Sequence, residues 1–191
     1  MRRLVIVAAA LLAAGCASTP ESRFYTLSAQ IESVAYTPGP SVSVAAVTVP
    51  DVVDRPQLVV AVNANEVIIV EQHRWAEPLK GELGRVIAEN LSRMTGNAHI
   101  AAYPQNASLN AEYRVLVDFQ RFAGRPEGEV LLDALWSLRA ANGDVLRSGR
   151  TRAQGSADKG YDALVAAYSR ALSTISAEIA EALKALPAAR R

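Results

Sequence analysis

Residues 66–94 read EVIIVEQHRWAEPLKGELGRVIAENLSRM, and the fold turns on how this stretch divides. The first half has the character of a strand, with Val67, Ile69 and Glu71 on one side and Ile68, Val70 and Gln72 on the other. Four apolar residues in a row predict that both faces of that half are covered. Leu79, Leu83, Val86, Ile87, Leu91 and Met94 then recur at helical spacing and make one apolar stripe, which predicts a helix over 78–95. Pro78 suits a first turn and Gly96 a stop, while Gly81 and Gly84 weaken the helix but permit close backbone packing. Such a stripe must be buried, and the sheet holding the preceding strand is the nearest surface. His73, Arg74, Trp75, Glu77 and Pro78 form the junction between the two elements.

On the N-terminal side of this stretch, residues 57–62 (QLVVAV) are a second strand, joined to the first through the polar turn Asn63-Ala64-Asn65, so the two form a hairpin. Residues 41–49 (SVSVAAVTV) are a strand ended by Pro50, and residues 23–27 (RFYTL) are a short edge strand. On the C-terminal side, a short strand at 99–103 precedes three long alternating runs at 111–122, 129–139 and 145–154. Asn142-Gly143 is a hairpin turn between the last two, so these runs make an antiparallel meander. Arg139, Arg147, Arg150 and Arg152 mark either a contact surface or a solvated sheet face. Leu164, Tyr168, Leu172, Ile175, Ile179 and Leu183 predict the longest helix, over 161–186, ended by Pro187. The expected fold is α/β (α+β): a mixed, mostly antiparallel sheet of about six to seven strands, with two amphipathic helices on one face.

The start of the chain is of another kind. Residues 1–15 (MRRLVIVAAALLAAG) have two arginines, a short apolar core and a small-residue end, the pattern of a secretory signal peptide. The apolar run is about half the length of a membrane-spanning helix. Cys16 is the only cysteine and cannot form an internal disulfide. With Leu12-Ala13-Ala14-Gly15 before it, Cys16 resembles the lipidated cysteine of bacterial lipoproteins, although Ala13 holds the place where leucine is preferred. The resemblance implies cleavage before Cys16, a diacylglycerol and acyl chain on it, and, with Ala17 rather than Asp following, sorting to the outer membrane. Two or more acyl chains give stable anchoring. The expected organisation is a signal peptide at 1–15, a lipidated tether at 16–40, a periplasmic domain at 41–187 and a frayed tail at 188–191.

RFYTL after such a cysteine, then DRPQLVV, then EQHRWAEPLKGELGRVIAENLS, resemble the PqiC-type ABC-transport auxiliary lipoproteins. The resemblance runs from Arg23 to the last helix and is strongest from Asp54 to Ser92. It implies a non-enzymatic outer-membrane lipoprotein that docks with an MCE-domain protein and its ABC transporter in lipid transport between membranes and so maintains envelope integrity. It also suggests a homo-oligomeric ring.

Composition agrees with part of this. The chain has 20 Lys+Arg and 19 Asp+Glu, and loss of Arg2 and Arg3 with the signal peptide leaves it near neutral, with no long basic run, which argues against nucleic acid. His73 and His99 are the only histidines, and no nucleophile motif or zinc-ligand spacing accompanies them, so neither an enzyme nor a metal or cofactor site is expected. The candidate site is a partner-docking rim of Asp54, Arg55, His73, Arg74, Trp75 and Glu77, because Trp and Arg are enriched at interface hot spots. The structural alternative has Trp75 closing the core, His73 bonding a backbone group and Arg74 paired with Asp54 or Glu77. Two other functions fit the same anchor: a lipid carrier with a pocket between helix and sheet, and an envelope-assembly lipoprotein that activates another periplasmic machine.

Overall fold

A computed structural model describes residues 21–32 and 35–186; the signal peptide, Cys16 and the tail at 188–191 lie outside the described residues. Among the described residues, eight strands and two helices follow one another as β1 (Arg23–Tyr25), β2 (Val42–Thr48), β3 (Gln57–Ala61), β4 (Val67–Trp75), α1 (Leu79–Thr95), β5 (Ile100–Ala102), β6 (Tyr113–Gly124), β7 (Glu129–Ala140), β8 (Val145–Ser156) and α2 (Tyr161–Lys184), with a 3₁₀ turn at Asn106–Ser108. The expected α+β class with two helices is what forms. The strands, however, divide into two sheets, one of order β1-β4-β3 and one of order β5-β2-β6-β7-β8.

The larger sheet is the platform. β6, β7 and β8 form the expected meander, twelve residues each, with Asn142 and Gly143 in the turn. Gly143 has φ 97°, a conformation that suits glycine at such a turn. β2 runs parallel to both β5 and β6, so α1 lies in the crossover from β2 to β5 and is laid onto that end of the sheet. α2 covers the other end, against β7 and β8, and packs along α1.

The helix stripes behave as their spacing predicts. Leu83, Val86, Ile87 and Leu91 of α1 are fully buried, as are Leu164, Leu172, Ile175 and Ile179 of α2. They meet Val115, Val117 and Phe119 of β6 and Val130, Leu132 and Leu138 of β7 in one core. A Cβ on Gly84 would stand 3.7 Å from Val47 and 3.9 Å from Ala102, so this glycine faces the β2–β5 edge, whereas one on Gly81 would meet nothing. Gly96 takes φ 64° and its N–H bonds Ser92 O, ending α1 as expected. Between the helices, Asn90 Nδ2 donates to Ser176 Oγ at 3.3 Å inside the core.

The smaller sheet departs from expectation in two ways. β4 continues through His73 and Arg74 to Trp75, so these residues are strand rather than junction. β1 lies parallel to this last part only, pairing Arg23 with His73, Phe24 with Arg74 and Tyr25 with Trp75. Among the described residues the rest of β4 pairs with β3 alone, across a five-residue loop at 62–66, as a two-stranded arm. Val67, Ile68 and Ile69 are therefore 44%, 53% and 39% exposed, although their apolar run predicts cover on both faces. The reason is positional: among the described residues no helix lies over this half of β4, and a third strand reaches only its last three residues.

Candidate docking surface

The sequence-predicted rim is distributed over both sides of the small sheet. Trp75, 5% exposed, belongs to the core. Its ring meets Phe122 edge-on at 6.3 Å and Tyr168 at 6.4 Å, and Phe122 stacks on Tyr168 at 4.4 Å. This is the structural alternative for Trp75, and it removes the indole from the docking surface. Burial pushes the Tyr168 hydroxyl far above its ordinary range, and the hydroxyl has no partner in the structure.

Backbone bonds hold the end of β4 in place. Trp75 N donates to Pro56 O at 2.7 Å, and Ala76 N donates to Tyr25 O at 2.8 Å. His73 lies between two tyrosines. Tyr25 Oη is 2.6 Å from His73 Nδ1, and the Tyr161 ring is 3.9 Å from the imidazole centroid. His73 thus bonds a side chain, not the backbone group expected of it. Desolvation, with Arg23 nearby, lowers its pKa below the ordinary histidine value, while desolvation raises that of Tyr25. A neutral imidazole between two phenol rings is a packing element that joins β1, β4 and the start of α2. Tyr25 was visible within the RFYTL strand, but nothing in the sequence tied it or Tyr161 to His73.

Arg74 points its guanidinium along its own strand. Its Nε donates to Glu71 O at 2.9 Å, and its Nη2 is 3.6 Å from Glu71 Oε2. Glu71 is the partner rather than Asp54 or Glu77: the register of β4 against β3 shifts between Val70 and Arg74, and across this irregular stretch the Arg74 side chain meets Glu71. Asp54 instead receives Lys80 Nζ at 2.6 Å, tying the loop before β3 to the first turn of α1. Arg55 is half-buried and its Nε has no acceptor. Glu77 is exposed and borders a polar cleft of about 510 Å³ with Arg85, Glu89 and Arg93. At the floor of that cleft Glu82, buried on α1, accepts from Leu27 N at 2.6 Å and fixes the segment after β1. The outward-facing members of the rim are thus Asp54, Arg74 and Glu77, joined by Phe24 at 64% exposure, which sequence reasoning had not singled out.

The basic residues of the meander are partly engaged. Arg150 makes a two-pronged contact with Asp133 at 2.8 and 2.9 Å, and this holds the Asp133 carboxyl below the usual carboxylate range. Among the described residues no three His, Cys, Asp or Glu side chains gather as a metal site, and no helix is long and apolar enough to cross a membrane.

The model of the ABC-type transport auxiliary lipoprotein component family matches residues 25–180, which spans the folded domain from β1 almost to the end of α2. The chain belongs to that family. The intermembrane transport lipoprotein PqiC of Escherichia coli is 27% identical over 98% of this chain and 100% of its own length, and PqiC of Shigella flexneri is equally similar. In fold, the auxiliary component resembles a Xanthomonas campestris protein of known crystal structure, with TM-score 0.67 and 17% identity over 83% of this chain and 93% of that one. A second crystal structure, of an uncharacterized protein, gives TM-score 0.67 and 22% identity over 85% and 99% of the two chains. This chain is a transport auxiliary lipoprotein, and a family of that kind implies a non-catalytic role.

Proposed function

We propose that this lipoprotein is an outer-membrane-anchored adaptor that docks with the MCE-domain protein of an ABC-type intermembrane lipid transport system and so supports envelope integrity. The observation that carries this reading is the family match over the whole folded domain, together with near full-length similarity to a lipoprotein named for intermembrane transport. The acyl chains of Cys16 hold one end at the outer membrane. The small sheet and its flanking loops then present Asp54, Arg74 and Glu77 as the docking rim, with Arg55 half-buried behind them and His73 and Trp75 packed beneath to fix the strand. Phe24 and Arg74, paired across β1 and β4, are the pair best placed to reach a partner. Charge reversal at one rim arginine is expected to slow association and weaken the complex. Copies of the chain assembling as a ring would repeat this rim around a central axis.

The test is co-purification of the MCE protein with the acylated chain. Arg74→Glu, with folding checked by circular dichroism, is expected to abolish it; undiminished recovery would remove the rim as the docking site. A lipid-carrier reading has one observation in its favour. A cleft of about 770 Å³, lined by Val42, Ile100, Tyr113, Leu183 and Leu186, has the size of a small-ligand site. Phospholipid extracted with the purified protein in stoichiometric amount would favour the carrier.

A further inference from the structure

The β3–β4 arm carries apolar side chains that the fold leaves uncovered. Val62, Val67, Ile68 and Ile69 are all more than a third exposed, and Ile68 is the most exposed of them. Val67 and Ile69 lie on one face and Ile68 on the other. The first face turns toward β6 across a cleft that Val59, Ala61 and Val67 share with Phe122. From Val67 to Gln72 the outer edge of β4 pairs with no strand among the described residues, because β1 begins opposite His73.

The direction of β1 bears on what can reach that edge. β1 is parallel to β4, so the chain followed backwards from Arg23 heads toward the Val67 end of the arm. Seven residue steps separate Arg23 from Cys16, a reach of at most about 25 Å. The arm from His73 back to Val67 is about 20 Å long at strand rise. The anchoring cysteine can therefore come level with the exposed apolar segment, and the leaflet that holds its acyl chains cannot be much farther away. The loop at the tip carries Asn63, Asn65 and Glu66, with Asn63 Nδ2 donating to Glu66 Oε2 at 2.9 Å. End-on insertion would drive these polar groups into hydrocarbon first, which is unfavourable. The arm instead fits an interface lying flat, with polar loop among headgroups and Ile68 toward the acyl chains.

We infer that the β3–β4 arm is a second membrane contact, its Ile68 face resting in the phospholipid leaflet that holds the acyl chains of Cys16 and its open β4 edge lying at the hydrated headgroups, where the unpaired backbone groups meet water. This placement depends on Cys16 being acylated. Two contacts on one edge fix the orientation of the domain, so that the long meander projects away from the bilayer.

Acylation consumes the single native thiol, so Ile68→Cys introduces the only free one. The full acylated chain is labelled there with an environment-sensitive fluorophore and placed in phosphatidylethanolamine–phosphatidylglycerol vesicles. Val145→Cys, at the opposite end of the meander, is the reference. The label at 68 is expected to shift to the blue and to lose about half its emission to spin-labelled lipids quenching at a depth of about 5–10 Å, while the label at 145 stays aqueous. Equal, water-like emission at both positions overturns the inference. So does apolar emission at 68 without lipid quenching, which would mean cover by a second copy or another protein. Intact mass separates the two readings: an acylated chain with an aqueous label at 68 refutes the arm contact alone, whereas an unmodified Cys16 refutes the anchor and the contact together.

Discussion

Trp75 and Arg74 are neighbours in sequence with opposite surroundings, and substituting each in turn separates core from surface. Trp75→Ala removes an indole that is almost wholly buried between Phe122 and Tyr168. A buried indole withdraws about 200 Å² from water, worth about 5 kcal/mol at about 25 cal/mol per Å². Alanine keeps a little of that, and partial collapse of the site recovers more, so the expected loss is about 3–5 kcal/mol. With an m-value of about 2 kcal/mol per M in urea, the unfolding midpoint should fall by about 1.5–2.5 M. Arg74→Glu touches only an exposed contact with Glu71 and should change stability by no more than about 0.5 kcal/mol. Urea unfolding followed by far-UV circular dichroism measures both. A shift below about 0.5 M for Trp75→Ala, or a larger one for Arg74→Glu, would refute the division of this strand into a buried and an exposed side.

Three further outcomes follow from particular contacts. His73 should titrate, by NMR of its ring, below the ordinary value of about 6.5. Because its folded pKa is the lower one, the stability it contributes is full above the unfolded value and is lost as pH falls through the folded one. His73→Gln should flatten the dependence of the unfolding midpoint in that window. Glu82→Ala should cost about 1–3 kcal/mol and speed hydrogen exchange at the Leu27 amide, which loses its buried acceptor. Gly149→Ala should cost about 1–3 kcal/mol and move the Trp136 indole N–H resonance, because the new Cβ would stand 2.4 Å from Trp136 Cζ2, whose ring is held by a 3.0 Å bond from Nε1 to Thr151 Oγ1.

The elements that were legible in the sequence are those whose burial follows from their own period. The α1 stripe from Leu79 to Leu91, the α2 stripe from Leu164 to Ile179 and the Asn142-Gly143 turn each state locally which side faces in. Residues 67–70 show the limit. A run of apolar residues reports hydrophobicity but not whether anything lies above it, and that depends on β1 pairing with His73–Trp75 and no further. The division into two sheets was hidden for the same reason, since strand order is decided by contacts between distant segments. Within the rim, the residue types were informative while their partners were not. Trp75 could be placed in the core as one alternative, but the Tyr25–His73–Tyr161 stack joins residues 48 and 88 positions from His73, and no spacing rule reaches that far. The Arg74–Glu71 contact is local, yet it spans the stretch where the register of β4 against β3 shifts, which the sequence does not announce.

In the proposed function an acylated Cys16 holds the auxiliary domain at the outer membrane. The most direct measurement of this is fractionation of cell membranes carrying either the native chain or Cys16→Ser, followed by intact mass of the recovered protein. The native chain should be found with the outer membrane, cleaved before Cys16 and carrying diacylglycerol and an acyl chain, and the serine variant should be missing from that fraction. A serine variant that reaches the outer membrane in native amount, or a native chain without lipid on Cys16, would contradict the account.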